Sequence, residues 1–120
     1  MTRALSGSAF HNGLLLIVFL LVGCSHRTVD LNNADNGRTI NALVGDHINI
    51  TLQTIGPGEY GPPQISSGAV RYTGLGDAPP PNPGGPIQPF MFEAVQVGDA
   101  TVTMAQTYQN TQFTITVLVR

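Results

Sequence analysis

The sequence predicts an all-β domain: a two-sheet antiparallel sandwich of about seven strands. Three observations lead there. Apolar residues recur at every second position in several segments, the period of a strand with one buried face. Glycine and proline clusters break these segments at sandwich-like intervals. Outside an apolar amino-terminal run no segment has helical periodicity, and charged residues make up only 10% of the chain, which suits short strands and many turns.

Taken in order, Thr39 to Val44 is a short strand closed by Gly45-Asp46. His47 to Ile55 places Ile48, Ile50 and Leu52 on one face and Asn49, Thr51 and Gln53 on the other. Gly56 to Pro63 (GPGEYGPP) is a loop, because proline lacks an N–H and glycine resists ordering. Gln64 to Ser67 and Ala69 to Thr73 are short extended pieces, the second with Val70 and Tyr72 on one face. Gly74 to Pro86 is a long loop rich in proline and glycine. Ile87 to Val95 resumes alternation through Phe90, Phe92 and Ala94, and Val97-Gly98-Asp99 turns the chain. Ala100 to Ala105 is a strand with Val102 and Met104 on one face, and Thr107 to Thr111 is a polar loop. Phe113 to Val119 is the last strand, with Phe113, Ile115, Val117 and Val119 inward. This spacing is that of an immunoglobulin-like sandwich, without the cysteine pair and tryptophan of antibody domains.

The amino terminus carries a different signal. The apolar run Leu14 to Val22 is about nine residues, right for a signal segment and too short to span a bilayer as a helix. Arg3 and the amino group precede it, and Leu21-Val22-Gly23-Cys24 ends it. That motif resembles the lipobox of bacterial lipoproteins. The resemblance implies that residues 1–23 are a removable signal peptide and that the Cys24 sulfur carries a diacylglycerol. Two or more acyl chains anchor a protein stably. The expected location is the cell envelope, facing periplasm or exterior, and Ser25 favours the outer membrane where one exists. Residues 24–37 are polar and read as a flexible tether, at most roughly 45 Å long when extended. The alternative is that Val29 and Leu31 add an edge strand. The sandwich domain is expected over residues 38–120.

Composition removes several functions. The net charge is −2, there is no lysine, and the charges are scattered, so nucleic acid has no electrostatic footprint to bind. A single cysteine permits no internal disulfide. His11, His26 and His47 lie far apart, Glu59 and Asp77 are isolated loop acids, and no nucleophile motif is present. Neither metal nor acid–base catalysis has a constellation. No enzyme activity and no cofactor are expected, and the chain reads as a monomer.

Four features of residues 39–119 resemble the chagasin-like inhibitors of papain-type cysteine proteases. They are Val44-Gly45-Asp46-His47-Ile48-Asn49-Ile50-Thr51-Leu52; the loop Gly56-Pro57-Gly58-Glu59-Tyr60-Gly61; Gly84-Gly85 shortly before Phe90-Met91-Phe92-Glu93-Ala94; and Val97-Gly98-Asp99-Ala100-Thr101-Val102. The resemblance implies a sandwich that presents three loops to a protease cleft, with a papain-like cysteine protease as partner. The wedge would be Pro57, Gly58, Glu59, Tyr60 and Gly61. Flanking loops at Asn82 to Gly85, with Gly84 and Gly85, and at Thr107 to Asn110, with Tyr108, would complete the surface. The family's first loop has glycine directly before its aromatic residue, where this chain has Glu59. Its third loop carries arginine-proline-tryptophan, where this chain reads Gln106-Thr107-Tyr108-Gln109-Asn110. Tyr60 reads in two ways, as an aromatic presented to a partner or as a cap folded over the sandwich end. The competing function is a non-inhibitory binding or structural envelope lipoprotein, whose partner would be another envelope protein or a surface polymer.

Overall fold

The computed structural model describes residues 26–55, 58–80 and 84–120. Residues 1–23, expected to be a signal segment, and Cys24, Pro57 and Asn82 lie outside them. Among the described residues eight strands form two four-stranded sheets. They are β1 (Thr28–Asn32), β2 (Thr39–Ala42), β3 (His47–Gln53), β4 (Gln64–Ile65), β5 (Val70–Leu75), β6 (Ile87–Ala94), β7 (Gly98–Ala105) and β8 (Gln112–Val119). One sheet has the order β1-β3-β6-β5 and the other β2-β8-β7-β4.

The alternation read in the sequence is the burial pattern of the strands. Ile48, Ile50 and Leu52 meet Phe90, Phe92 and Ala94 from one sheet, and Val102, Met104, Phe113, Ile115 and Val117 from the other; all are at most 2% exposed. Tyr72 packs its ring against Phe92 and Phe90, with centroids 5.3 and 6.2 Å apart. The seven expected strands are present, and β7 begins at Gly98 within the expected turn.

Two expectations change. Residues 28–37 are not a tether. β1 lies parallel to β3, pairing Val29 with Ile48 and Leu31 with Ile50, and Leu31 is 5% exposed in the core. A short 3-10 turn (Asn33–Asp35) then carries the chain to the other sheet, where β2 pairs in parallel with β8. Asn32 and Asp35 cap that turn reciprocally: the Asn32 side chain accepts from Ala34 N–H, and Asp35 accepts from Asn32 N–H. The sandwich is therefore antiparallel in its interior with a parallel edge strand on each sheet. The edge-strand reading of Val29 and Leu31 is the one the structure adopts. The strands and their core close on themselves within residues 26–120, so a chain starting at Cys24 carries the whole sandwich.

The strand directions sort the connections into two ends. One end, called here the loop end, carries the 3-10 turn and, of the described residues, 54–55, 58–63, 76–80, 84–86 and 106–111. The other, the base, carries residues 43–46, 66–69 and 95–97 and the start of β1. Asp46 locks the base. Its buried carboxylate accepts from Leu43 N–H at 2.9 Å, Arg27 Nε–H at 3.1 Å and Arg27 N–H at 3.3 Å. Burial alone would raise its pKa, but these donors together outweigh it and hold the carboxyl below its ordinary value. Asp35 is also lowered, by Asn32 N–H first and by the Arg38 side chain.

Two outcomes follow. Leu31→Ala should lower the stability measured by urea unfolding by about 2–3 kcal/mol, as for a buried core leucine, whereas the same change in a free tether would be neutral. Asp46 has a depressed folded pKa, so its contribution is complete above about pH 4 and is lost as the pH falls through the lower folded value. Asp46→Asn should therefore be less stable at neutral pH and lose less stability between pH 5 and pH 2 than the parent (about one group's worth of slope). Equal acid sensitivity of the two chains would show that Asp46 is not linked.

Candidate functional site: the loop end

Tyr60 is the centre of the loop end, but its side chain points inward and is 5% exposed. The presented-aromatic reading of Tyr60 is thus corrected: it caps the core. The reason lies in its partners. Gln88 sits in phase with Phe90 and Phe92 on the inner face of β6, and is itself buried. Its side-chain amide accepts from Tyr60 N–H at 2.7 Å and donates to Tyr60 C=O at 2.9 Å. The Tyr60 hydroxyl accepts from Gln106 Nε2 at 3.0 Å and from Asn33 Nδ2 at 3.3 Å. Asn33 also binds the end of β3, accepting from Gln53 N–H at 2.9 Å and donating to Gln53 C=O at 3.2 Å. One tyrosine therefore ties together the 3-10 turn, the loop after β3, the start of β6 and the loop after β7.

The first and third loops are also laced by backbone bonds. Tyr60 and Gln106 form an antiparallel bridge. Gly61 N–H donates to Ala105 C=O at 2.8 Å and Thr107 N–H to Glu59 C=O at 3.0 Å. Glu59 N–H donates to the Thr107 hydroxyl at 3.2 Å, and the buried Thr54 hydroxyl donates to Gly58 C=O at 3.0 Å. Pro62 and Pro63 interrupt this ladder before β4 resumes it, since neither has an N–H to offer.

What the loop end exposes is different. Tyr108 is 77% exposed, and its ring lies along Gly58 so closely that a Cβ on Gly58 would stand 2.9 Å from Tyr108 Cδ2. Gly58 has φ +104°, which also favours glycine. Gly58, Glu59, Thr107 and Tyr108 line one shallow groove. Ile55 is 83% exposed in the first loop and Leu75 58% exposed where β5 ends. Gly84 and Gly85 are half-buried in the second loop, where Gly85 C=O accepts from Gln53 Nε2 at 3.2 Å. Of the residues expected to form the surface, Gly58, Glu59, Gly61, Gly84, Gly85 and Tyr108 are at this end, and Tyr60 lies beneath them. Sequence reading missed Ile55, Asn33, Gln88 and Gln106. Gln88 carried a signal, as a polar residue in the inward phase of an apolar strand. Among the described residues no group of three or more His, Cys, Asp or Glu is placed to hold a metal.

The fold is that of a cysteine protease inhibitor of known structure. The crystal structure of such an inhibitor from Entamoeba histolytica matches 79% of this chain and 97% of its own, with a TM-score of 0.65 at 14% identity. The solution structure of amebosin matches 80% of this chain and 99% of its own, with a TM-score of 0.50 at 17% identity. No protein family matches the sequence, and no curated protein does.

Gln88→Ala tests the tie directly. It leaves the buried Tyr60 N–H and C=O without partners, and should cost about 2–4 kcal/mol in chemical unfolding. Tyr60→Phe, whose lost partners Asn33 and Gln106 reach water, should cost about 1 kcal/mol. Equal, small effects would show that the Gln88 amide does not hold the loop.

Proposed function

We propose that this chain is a lipid-anchored inhibitor of papain-like cysteine proteases that closes the protease cleft with its loop end. The observation that carries the reading is the state of the first loop's backbone. From Gly58 C=O to Gly61 N–H, six successive backbone groups are bonded within the domain: to Thr54, Thr107, Gln88 and Ala105. A peptide being cleaved must offer its own N–H and C=O groups to the enzyme. This loop has none free in that stretch, so it can fill a cleft without presenting a scissile bond in register.

Contact then falls to what is exposed. Tyr108 on its Gly58 seat is the aromatic anchor in place of Tyr60, with Ile55 exposed at the start of the first loop, Glu59 in the same groove as Tyr108, and Gly84 and Gly85 in the second loop. Loops already held by the domain lose little entropy on binding, which is how a small wedge binds tightly. The likeness of fold to a solved cysteine protease inhibitor supports the reading. Cys24 precedes the base, so a lipid there would leave the loop end facing away from the membrane. The envelope location and the diacylglycerol on Cys24 belong to this proposal.

The test is a titration of papain with residues 24–120 carrying Cys24→Ser. Reversible, stoichiometric inhibition below micromolar is expected. Tyr108→Ala should weaken it about tenfold or more with an unchanged melting temperature. Absence of inhibition of papain and its relatives by a folded chain would favour the competing reading, a non-inhibitory envelope binding protein.

A further inference from the structure

The base carries an apolar surface that the inhibitor reading does not use. Leu43 is 59% exposed, Val44 43%, Val95 37% and Val97 71%, half of the large exposed apolar side chains among the described residues. They converge. Ala42 pairs with Val119 and Val119 with Gly98. Leu43, Arg120 and Val97 therefore occupy the ends of three neighbouring strands, about 5 Å apart. Val95 follows Ala94, which exchanges bonds with Gly45 and Asp46 on the other sheet, about 10 Å away.

The main chain at most of these positions is pinned. Leu43 N–H is held by Asp46, Val44 N–H by Arg120 C=O, Gly45 N–H by Ala94 C=O and Val95 N–H by Ala69 C=O. The first strand, β1, also starts here. The His26 ring covers Gly45, leaving no room for a Cβ there. Because β1 belongs to the sheet, only two residue steps separate Cys24 from His26, a reach of about 7 Å. Arg120 stands between Leu43 and Val97 as a cation suited to lipid headgroups, while the Arg27 guanidinium is already paired with Asp46.

We infer that the base is a lipid-contact surface, and that Leu43, Val44, Val95 and Val97 seat the domain on the bilayer that holds its anchor. This rests on the anchor reading of Cys24. It replaces a domain swinging on a long tether with one held upright, its loops about 30 Å above the lipid given an eight-residue strand and its turns. Acyl chains supply the affinity, and the shallow apolar base supplies the orientation.

The chain has no tryptophan, so one introduced residue reports its own surroundings. Residues 24–120 carrying Val97→Trp or Tyr108→Trp are coupled through the Cys24 thiol to a maleimide-headgroup lipid. The vesicles are phosphatidylcholine with or without brominated acyl chains, and circular dichroism confirms the fold. Brominated lipid should quench the Val97→Trp emission about twofold or more and leave Tyr108→Trp unchanged. Adding Leu43→Asp should remove that quenching. Equal quenching of the two probes would overturn the proposal. So would a Val97→Trp emission that shifts with protein concentration before any vesicle is present, since a second copy would then cover the base. The anchor is tested separately by the mass of the chain made in cells that lipidate such motifs. An unmodified Cys24 would remove the anchor reading, while the chemically tethered vesicles still decide whether the base prefers lipid.

Discussion

The Gln88 side-chain amide stands where a neighbouring strand's backbone would stand, giving and taking one bond each with Tyr60. Both groups are buried, so each lost partner would leave a polar atom without water, at about 1–3 kcal/mol. The remaining features of the loop end depend on that satisfaction. With the Tyr60 backbone held, its ring drops into the core and its hydroxyl collects Asn33 and Gln106. Gly61 and Glu59 then bridge to β7 and the loop beyond it, and Gly58 is left as the seat for Tyr108. Preorganisation here is a property of one glutamine reading one loop residue across the fold.

The two ends of the sandwich divide the work. At the loop end the backbone of the first loop is bonded inward and the solvent-facing side chains are mixed, among them Tyr108, Ile55, Leu75 and the acid Glu59. At the base a buried carboxylate fixes a turn whose exposed residues are aliphatic. In the proposed reading a partner cleft meets the first end and a lipid surface the second. The parallel pairing of β1 with β3 joins these roles, because it brings the start of the domain to the base and commits the loops to the far side.

Period two made seven strands and nearly the whole core legible, because the inward residues of β3, β6, β7 and β8, Gln88 apart, carry no polar side chain and the runs are punctuated by glycine, proline and asparagine. β1 was less so. It has only Val29 and Leu31 in phase within a polar stretch, and its partner lies in a parallel strand beyond two intervening elements, where local pattern carries no information. Tyr60 could not be placed from its neighbours, since a glycine-proline loop has no period to mark inside from outside. The residue that decides it is 28 positions away. The site was legible as a set of loops and not as a surface: Gly58, Glu59 and Tyr108 were found, while the exposed Ile55 read as the end of a strand.

The central claim is that the loop end is held as firmly as the sheets. Amide hydrogen exchange of the free chain, resolved by NMR at Tyr60 and Gly61, addresses it most directly. If Gln88 and Ala105 hold these N–H groups, both should exchange as slowly as amides within β6 and β8. Exchange at the rate of an unprotected loop, while β6 and β8 stay protected, would contradict the account and leave the sandwich without a preformed wedge.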